Sequence, residues 1–244
     1  TTNGIRYTWS ISLNPAVSGA AGSSGDGQII GSPIEQTLTN YSDEFQQITY
    51  TITPWTVDIN GVNKCSGTQL QVNVFVEPTP RVSGTLSRNV VCNNDPVTYS
   101  LSTPTNSIYG VRFDVEVLNP YTDITGPAGH TNLSASDIIT ETPSNSGDSA
   151  RMITYILKPY TITVNGTPNC TGINDTLRLW VNPTPRVIPL DLNTICDGGT
   201  TRVKLTSPSV MSSGFVNFDY IVTFSSPGDM DGNTSPGYDL TEGG

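Results

Sequence analysis

Glu77-Pro78-Thr79-Pro80-Arg81-Val82 returns as Asn182-Pro183-Thr184-Pro185-Arg186-Val187, 105 residues further along the chain. A proline pair with the same flanks at that distance marks a tandem array, and the spacing is a common length for one domain. Outward from each copy the match continues. Ile48-Thr49-Tyr50 answers Ile153-Thr154-Tyr155, and Pro54 answers Pro159. Asn60-Gly61 with Cys65-Ser66-Gly67 answers Asn165-Gly166 with Cys170-Thr171-Gly172, and Gly19-Ala20-Ala21-Gly22 answers Gly126-Pro127-Ala128-Gly129. An aromatic strand centre recurs as Trp9-Ser10-Ile11, Phe113-Asp114-Val115 and Phe218-Asp219-Tyr220, so the repeat is seen three times.

The expected division is therefore 1–80, 81–185 and 186–244, with only the middle unit whole. The first lacks the opening strand that Val90-Val91-Cys92 to Tyr99-Ser100-Leu101 supplies in the second, and the third holds only the N-terminal part. A sandwich without an inner strand leaves backbone groups unpaired and apolar side chains wet. The 244 residues are thus expected to belong to a longer array.

Inside a repeat the pattern has a period of two. Ile5, Tyr7, Trp9, Ile11 and Leu13 share one face, as do Ile48, Tyr50 and Ile52, and Leu70, Val72, Val74 and Val76. That alternation reads as half-buried strands. Pro54 implies an edge, a bulge or a strand end, since proline donates nothing to a ladder. Asn60-Gly61 is a hairpin turn. Thr, Ser, Val, Ile, Asn and Tyr stand in place of helix formers, and Gly (23) and Pro (18) are abundant. The expected fold is all-β, a row of tandem immunoglobulin-like β-sandwich repeats with about seven short strands each. A closed barrel is the alternative, but it gives no reason for Pro-Thr-Pro at the repeat period.

A formal charge of −10 comes from scattered acids, and the 11 Lys and Arg form no cluster that could track a phosphate backbone. Nucleic acid is excluded as a partner on that ground. No apolar run of about 18 residues is present to insert in a membrane as a helix. Thr1 opens in mid-pattern, so a signal peptide is expected to lie outside these residues.

The series Tyr-x-Ile/Leu-x-Pro, Asn-Gly, Cys-x-Gly, Pro-Thr-Pro, at 49–80 and again at 154–185, resembles the PKD-like repeats of very large surface proteins of Bacteroidetes. These include gliding-motility adhesins exported by type IX secretion. The resemblance implies a non-enzymatic structural or adhesive segment of a cell-surface or secreted protein, needing no cofactor. Its partners would be neighbouring repeats, extracellular surface or glycan ligands, and the secretion machinery during export. The alternatives are a glycan-binding module acting through the loops at 19–33 and 126–147, and an accessory region of a secreted hydrolase. The resemblance also makes Asp148-Ser149-Ala150 and Asp175-Thr176-Leu177 candidate O-glycosylation sequences, with Ser149 and Thr176 as acceptors.

The cysteines fall two to a full repeat. Cys92 and Cys170 lie in the middle unit, while Cys65 is the counterpart of Cys170 and Cys196 that of Cys92. That count suits a Cys92–Cys170 disulfide, with Cys65 and Cys196 paired outside these residues, unless the two thiols lie at opposite ends of the sandwich. No Cys-x-x-Cys or second histidine supplies a zinc site. Asp229, Asp231 and Asn233 have the spacing that opens a calcium loop, a weak candidate because the other repeats lack it and no bidentate acid follows. His130 has neither a nucleophile elbow nor a paired acid, so no catalytic residue is assigned. Trp9, Phe113, Phe218, Trp55 and Tyr160 could stack sugars, but recurrence at the repeat period favours packing.

Overall fold

The structure, a computed structural model, describes residues 4–23, 25, 27–190 and 194–221, together with the backbone pairing of 237–241. Every regular element among them is a β-strand. Sheets drawn from residues 5–76, from 83–181 and from 188–241 share no strand with one another.

In the middle repeat two sheets face each other. One is built from Ser83–Leu86, Val97–Ser102 and Ile138–Glu141, with Val97–Ser102 at its centre. The other runs His130–Leu133, Val111–Leu118, Arg151–Ile162, Asp175–Val181 and Val90–Val91, the last pair parallel. Alternation sends Val97, Tyr99 and Leu101 inward from the first sheet. Phe113, Val115, Ile153, Tyr155, Leu157, Leu179 and Val181 meet them from the second, each no more than 3% exposed. This is an immunoglobulin-like sandwich, and each such side chain contributes ~1.5–3 kcal/mol by leaving water. Gly84 lets the sheets approach: a Cβ there would stand 2.5 Å from Leu157 Cδ1 and 2.9 Å from Leu177 Cδ1.

Pro54 and Pro159 do not end their strands. Gln46–Val57 and Arg151–Ile162 each run through the proline for 12 residues. On one side each long strand pairs first with Leu70–Val76 or Asp175–Val181, then with Asn63–Ser66 or Pro168–Thr171. The proline sits where one partner has stopped and the next begins, just before the irregularity between Trp55 and Val57 or Tyr160 and Ile162, so its missing donor costs no bond to either partner. Its carbonyl accepts from Gly67 N or Gly172 N, at 2.8 and 2.9 Å.

One equivalence shifts. Phe113 pairs with Pro159, but Pro54 pairs with Tyr7, so the counterpart of Phe113 is Tyr7 and that of Val115 is Trp9. Tyr7 is buried and Trp9 only partly so. A slip of two residues keeps every side chain on its face, which is why alternation could not detect it. Phe218 does match Phe113, buried at 7% exposure on the Asn217–Tyr220 strand.

Of the two facing sheets the first repeat forms only the larger: Gln28–Ile29, Ile5–Ile11 and Gln46–Val57, with Leu70–Val76 and Asn63–Ser66 sharing the far side. Among the described residues no strand covers its inner face. Val72 and Val74 are 40% and 36% exposed, whereas their counterparts Leu177 and Leu179 are 9% and 0%. Ile34-Glu35-Gln36, the counterpart of Ile139–Glu141, forms no strand, because no neighbour like Val97–Ser102 stands beside it.

Candidate functional site: the junctions between repeats

Pro-Thr-Pro lies at the junction, and Pro78 and Pro80 are fully buried. A buried proline leaves no orphan N–H. Pro80 O accepts from Ile173 N (2.9 Å), tying the linker to the repeat that follows. Gly172 permits this contact, since a Cβ there would overlap the Pro80 carbonyl. Arg81 is held at both backbone ends: its N–H donates to Thr105 Oγ1 (3.0 Å) and its carbonyl accepts from Thr103 Oγ1 (2.6 Å). Its guanidinium reaches back to Asp43 of the preceding repeat.

Backbone bonds cross the same gap. Asn106 N donates to Asp43 O (2.8 Å) and Phe45 N to Asn106 O (3.0 Å), forming a parallel bridge between Glu44 and Asn106. The Glu44 carboxylate also accepts from Asn106 Nδ2 (2.6 Å), and Glu77 Oε1 from Ile108 N (3.2 Å).

The second junction repeats the arginine contacts and the bridge, although Pro185, the counterpart of Pro80, is exposed. Arg186 N donates to Ser209 Oγ (3.0 Å), Ser207 Oγ donates to Arg186 O (2.7 Å), and the Arg186 guanidinium pairs with Asp148. Val210 N bonds Asp148 O and Ala150 N bonds Val210 O, each at 2.7 Å, bridging Ser149 to Val210. Both ion pairs are partly exposed, so each adds no more than ~1 kcal/mol by itself. Several directional bonds in one place nevertheless fix rotation about the linker. The proline motif was legible in the sequence and its partners were not, although each aspartate lies 38 residues before its arginine.

Inside the middle repeat, Glu141 is a buried acid. It accepts from Tyr155 OH (2.6 Å) and Ala128 N (3.2 Å), with His130 Nε2 at 3.3 Å. Burial, then the Glu141 hydrogen bond, pushes the Tyr155 phenol well above its ordinary value. Burial, then the Glu141 charge, does the same to Tyr99, whose hydroxyl has no hydrogen-bond partner. In the first repeat Gln36 takes the acid's place, accepting from Tyr50 OH (2.7 Å) and Ala21 N (3.2 Å). His130 is thus a member of a core network.

The Gly-Pro-Ala-Gly loop borders an open groove of about 530 Å³ on the outer face, lined in part by Asp114, Glu116, Pro127, Gly129, His130 and Lys158. Lys158 pairs with Glu116 across it.

The expected Cys92–Cys170 bridge is not made; all four cysteines are free. Cys92 follows Val90–Val91, which pairs with the Trp180–Val181 end of its neighbour, opposite Arg151 and Met152. Cys170 lies on Pro168–Thr171, beside Tyr160 and Ile162. Those positions are nine residues apart on one strand, ~30 Å at ~3.3 Å per residue, far beyond the ~7 Å limit for bridged Cα atoms. Cys65 and Cys196 are exposed.

Thr176 is exposed on the outer side of its strand, whereas Ser149 belongs to the second junction and is half-buried there. Asp229, Asp231 and Asn233 lie outside the described residues. Phe113 and Phe218 are core residues. Trp9, Trp55 and Tyr160 are half-buried, and Trp9 Nε1 and Trp55 Nε1 donate to Ala21 O and Thr8 Oγ1 at 2.8 and 2.9 Å. Among the described residues no helix is long and apolar enough to cross a membrane, and no group of three His, Cys, Asp or Glu could hold a metal ion.

Residues 1–80 match the family model described as a PKD-like domain. No curated protein matches the chain.

Proposed function

We propose that these residues form a stiff, non-enzymatic segment of a multi-repeat extracellular protein, an adhesin that serves surface attachment or gliding. The match over 1–80 supports a structural or adhesive extracellular module. The observation that carries the stiffness is the junction, where the same arginine contacts and parallel backbone bridge occur twice. Successive repeats held in this way would carry an adhesive region away from the cell, with neighbouring repeats as the constant partners. Export by a surface secretion machinery and binding to surface glycans belong to the same reading.

Small-angle X-ray scattering tests it. The wild-type chain should scatter as one elongated particle, and an Arg81→Ala/Arg186→Ala variant should show a broader spread of end-to-end dimensions. If wild type already scatters as flexibly linked bodies, the reading fails.

The outer groove beside the Gly-Pro-Ala-Gly loop favours a second reading, glycan recognition by the middle repeat. On a glycan array, binding that Asp114→Ala or Lys158→Ala weakens at least tenfold would support it, and an array with no signal would end it.

A further inference from the structure

The outer face of the middle repeat's larger sheet carries an aromatic ring that the core does not use. Leu177, Leu179 and Val181 point inward, so alternation turns Thr176, Arg178 and Trp180 outward. Trp180 pairs with Met152 on one side and Val90 on the other, both half-buried. Two residues along, Thr154 stands between Leu118 and Arg178. The ring is thus flanked by apolar side chains and is itself 37% exposed. Of the three tryptophans, Trp9 and Trp55 donate their indole N–H to Ala21 O and Thr8 Oγ1, whereas Trp180 Nε1 has no acceptor among the described residues.

This exposure belongs to a whole repeat. The sheet around Trp180 is complete, from His130–Leu133 to Val90–Val91. A whole following repeat does not cover the position either. Phe75 holds the same place 105 residues earlier, just before the junction with the middle repeat, and stays 51% exposed with the Phe45 ring edge-on at 6.4 Å. Neutral hydrogen-bonding groups surround it. Gln47 pairs with Phe75, and Thr49 pairs with Asn73, its Oγ1 donating to Asn73 Oδ1 (2.8 Å).

We propose that Trp180 and Phe75 are stacking platforms for a neutral polysaccharide, one platform to a repeat. A pyranose ring presents a C–H face that packs on an aromatic face, and a rim of hydroxyls that takes hydrogen bonds. Trp180 Nε1, Arg178 and Thr154 supply those bonds in the middle repeat. A charge of −10 disfavours an acidic polymer. A repeating ligand suits a repeating site, because two platforms on one chain convert singly weak contacts into avidity. The proposal rests on the adhesive reading above and places recognition away from the groove beside His130: Met152, next to Trp180, is six residues along its strand from Lys158, ~20 Å.

Affinity electrophoresis in native gels cast with hydroxyethylcellulose or galactomannan tests this, with dextran sulfate and serum albumin as comparison additives. Wild type should be retarded by a neutral polymer and by neither comparison additive. Trp180→Ala should weaken the retardation about tenfold, Trp180→Tyr should restore most of it, and Phe75→Ala added to Trp180→Ala should abolish what remains. Arg178→Ala, a substitution outside the core, should weaken it severalfold while the thermal transition of the middle repeat stays unchanged. No retardation by either neutral polymer overturns the proposal, as does retardation that survives Trp180→Ala. Equal retardation by albumin also overturns it, since the patch would then be merely apolar. Retardation lost in Asp114→Ala or Lys158→Ala but kept in Trp180→Ala would overturn it while leaving the groove reading standing.

Discussion

Tyr99 and Tyr155 occupy one core and differ in one respect. Tyr155 donates to Glu141, while the Tyr99 hydroxyl is buried without a partner. Tyr99→Phe is therefore expected to be neutral or stabilising by up to ~1 kcal/mol in chemical denaturation, because it removes an unsatisfied group. Tyr155→Phe should cost ~1–3 kcal/mol, because Glu141 stays buried with its closest donor gone. The same two phenols set an alkaline limit. Folding raises both above the ordinary phenol value of 10.0, so their contribution is whole below about pH 10 and is lost as pH climbs beyond it, where the unfolded chain ionises first. Tyr99→Phe, with one phenol fewer, should lose stability less steeply above pH 10. Equal slopes for the two proteins would contradict this. Gly84 is the steric counterpart: Gly84→Ala forces a methyl against Leu157 and Leu177 and should cost ~1–3 kcal/mol.

At the scale of the strand, period-two alternation located the three main strand faces of the first repeat, and repetition transferred them to the second. Alternation says which face a residue occupies and not which neighbour it meets, so the pairing of Tyr7 rather than Trp9 with the proline was invisible. Whether an apolar face is covered was equally hidden, because Leu70–Val76 and Asp175–Val181 carry similar patterns and only the second lies under a second sheet. The cysteine count failed for a related reason: number says nothing of distance along a 12-residue strand. The junction partners were unread because Asp43 and Asp148 look like ordinary turn residues. Gly172→Ala probes this element. It should push Pro80 away and lower the unfolding temperature of the middle repeat by several degrees, whereas Gly166→Ala, with nothing within 4 Å but a φ of 77°, should cost only its backbone strain.

For the whole molecule, a charge of −10 spread over the chain makes any two copies repel. Within the middle repeat the chain enters through Arg81 and leaves through Pro185. Its early Val90–Val91 strand lies parallel to the late Trp180–Val181 stretch. Tension applied to the two ends would draw these stretches past each other along their length. The bonds from Trp180 N and Asn182 N stand across that direction and would share the force at once instead of parting one at a time. A unit threaded in this way resists tension along its own axis because its strands must shear together before any of them can peel.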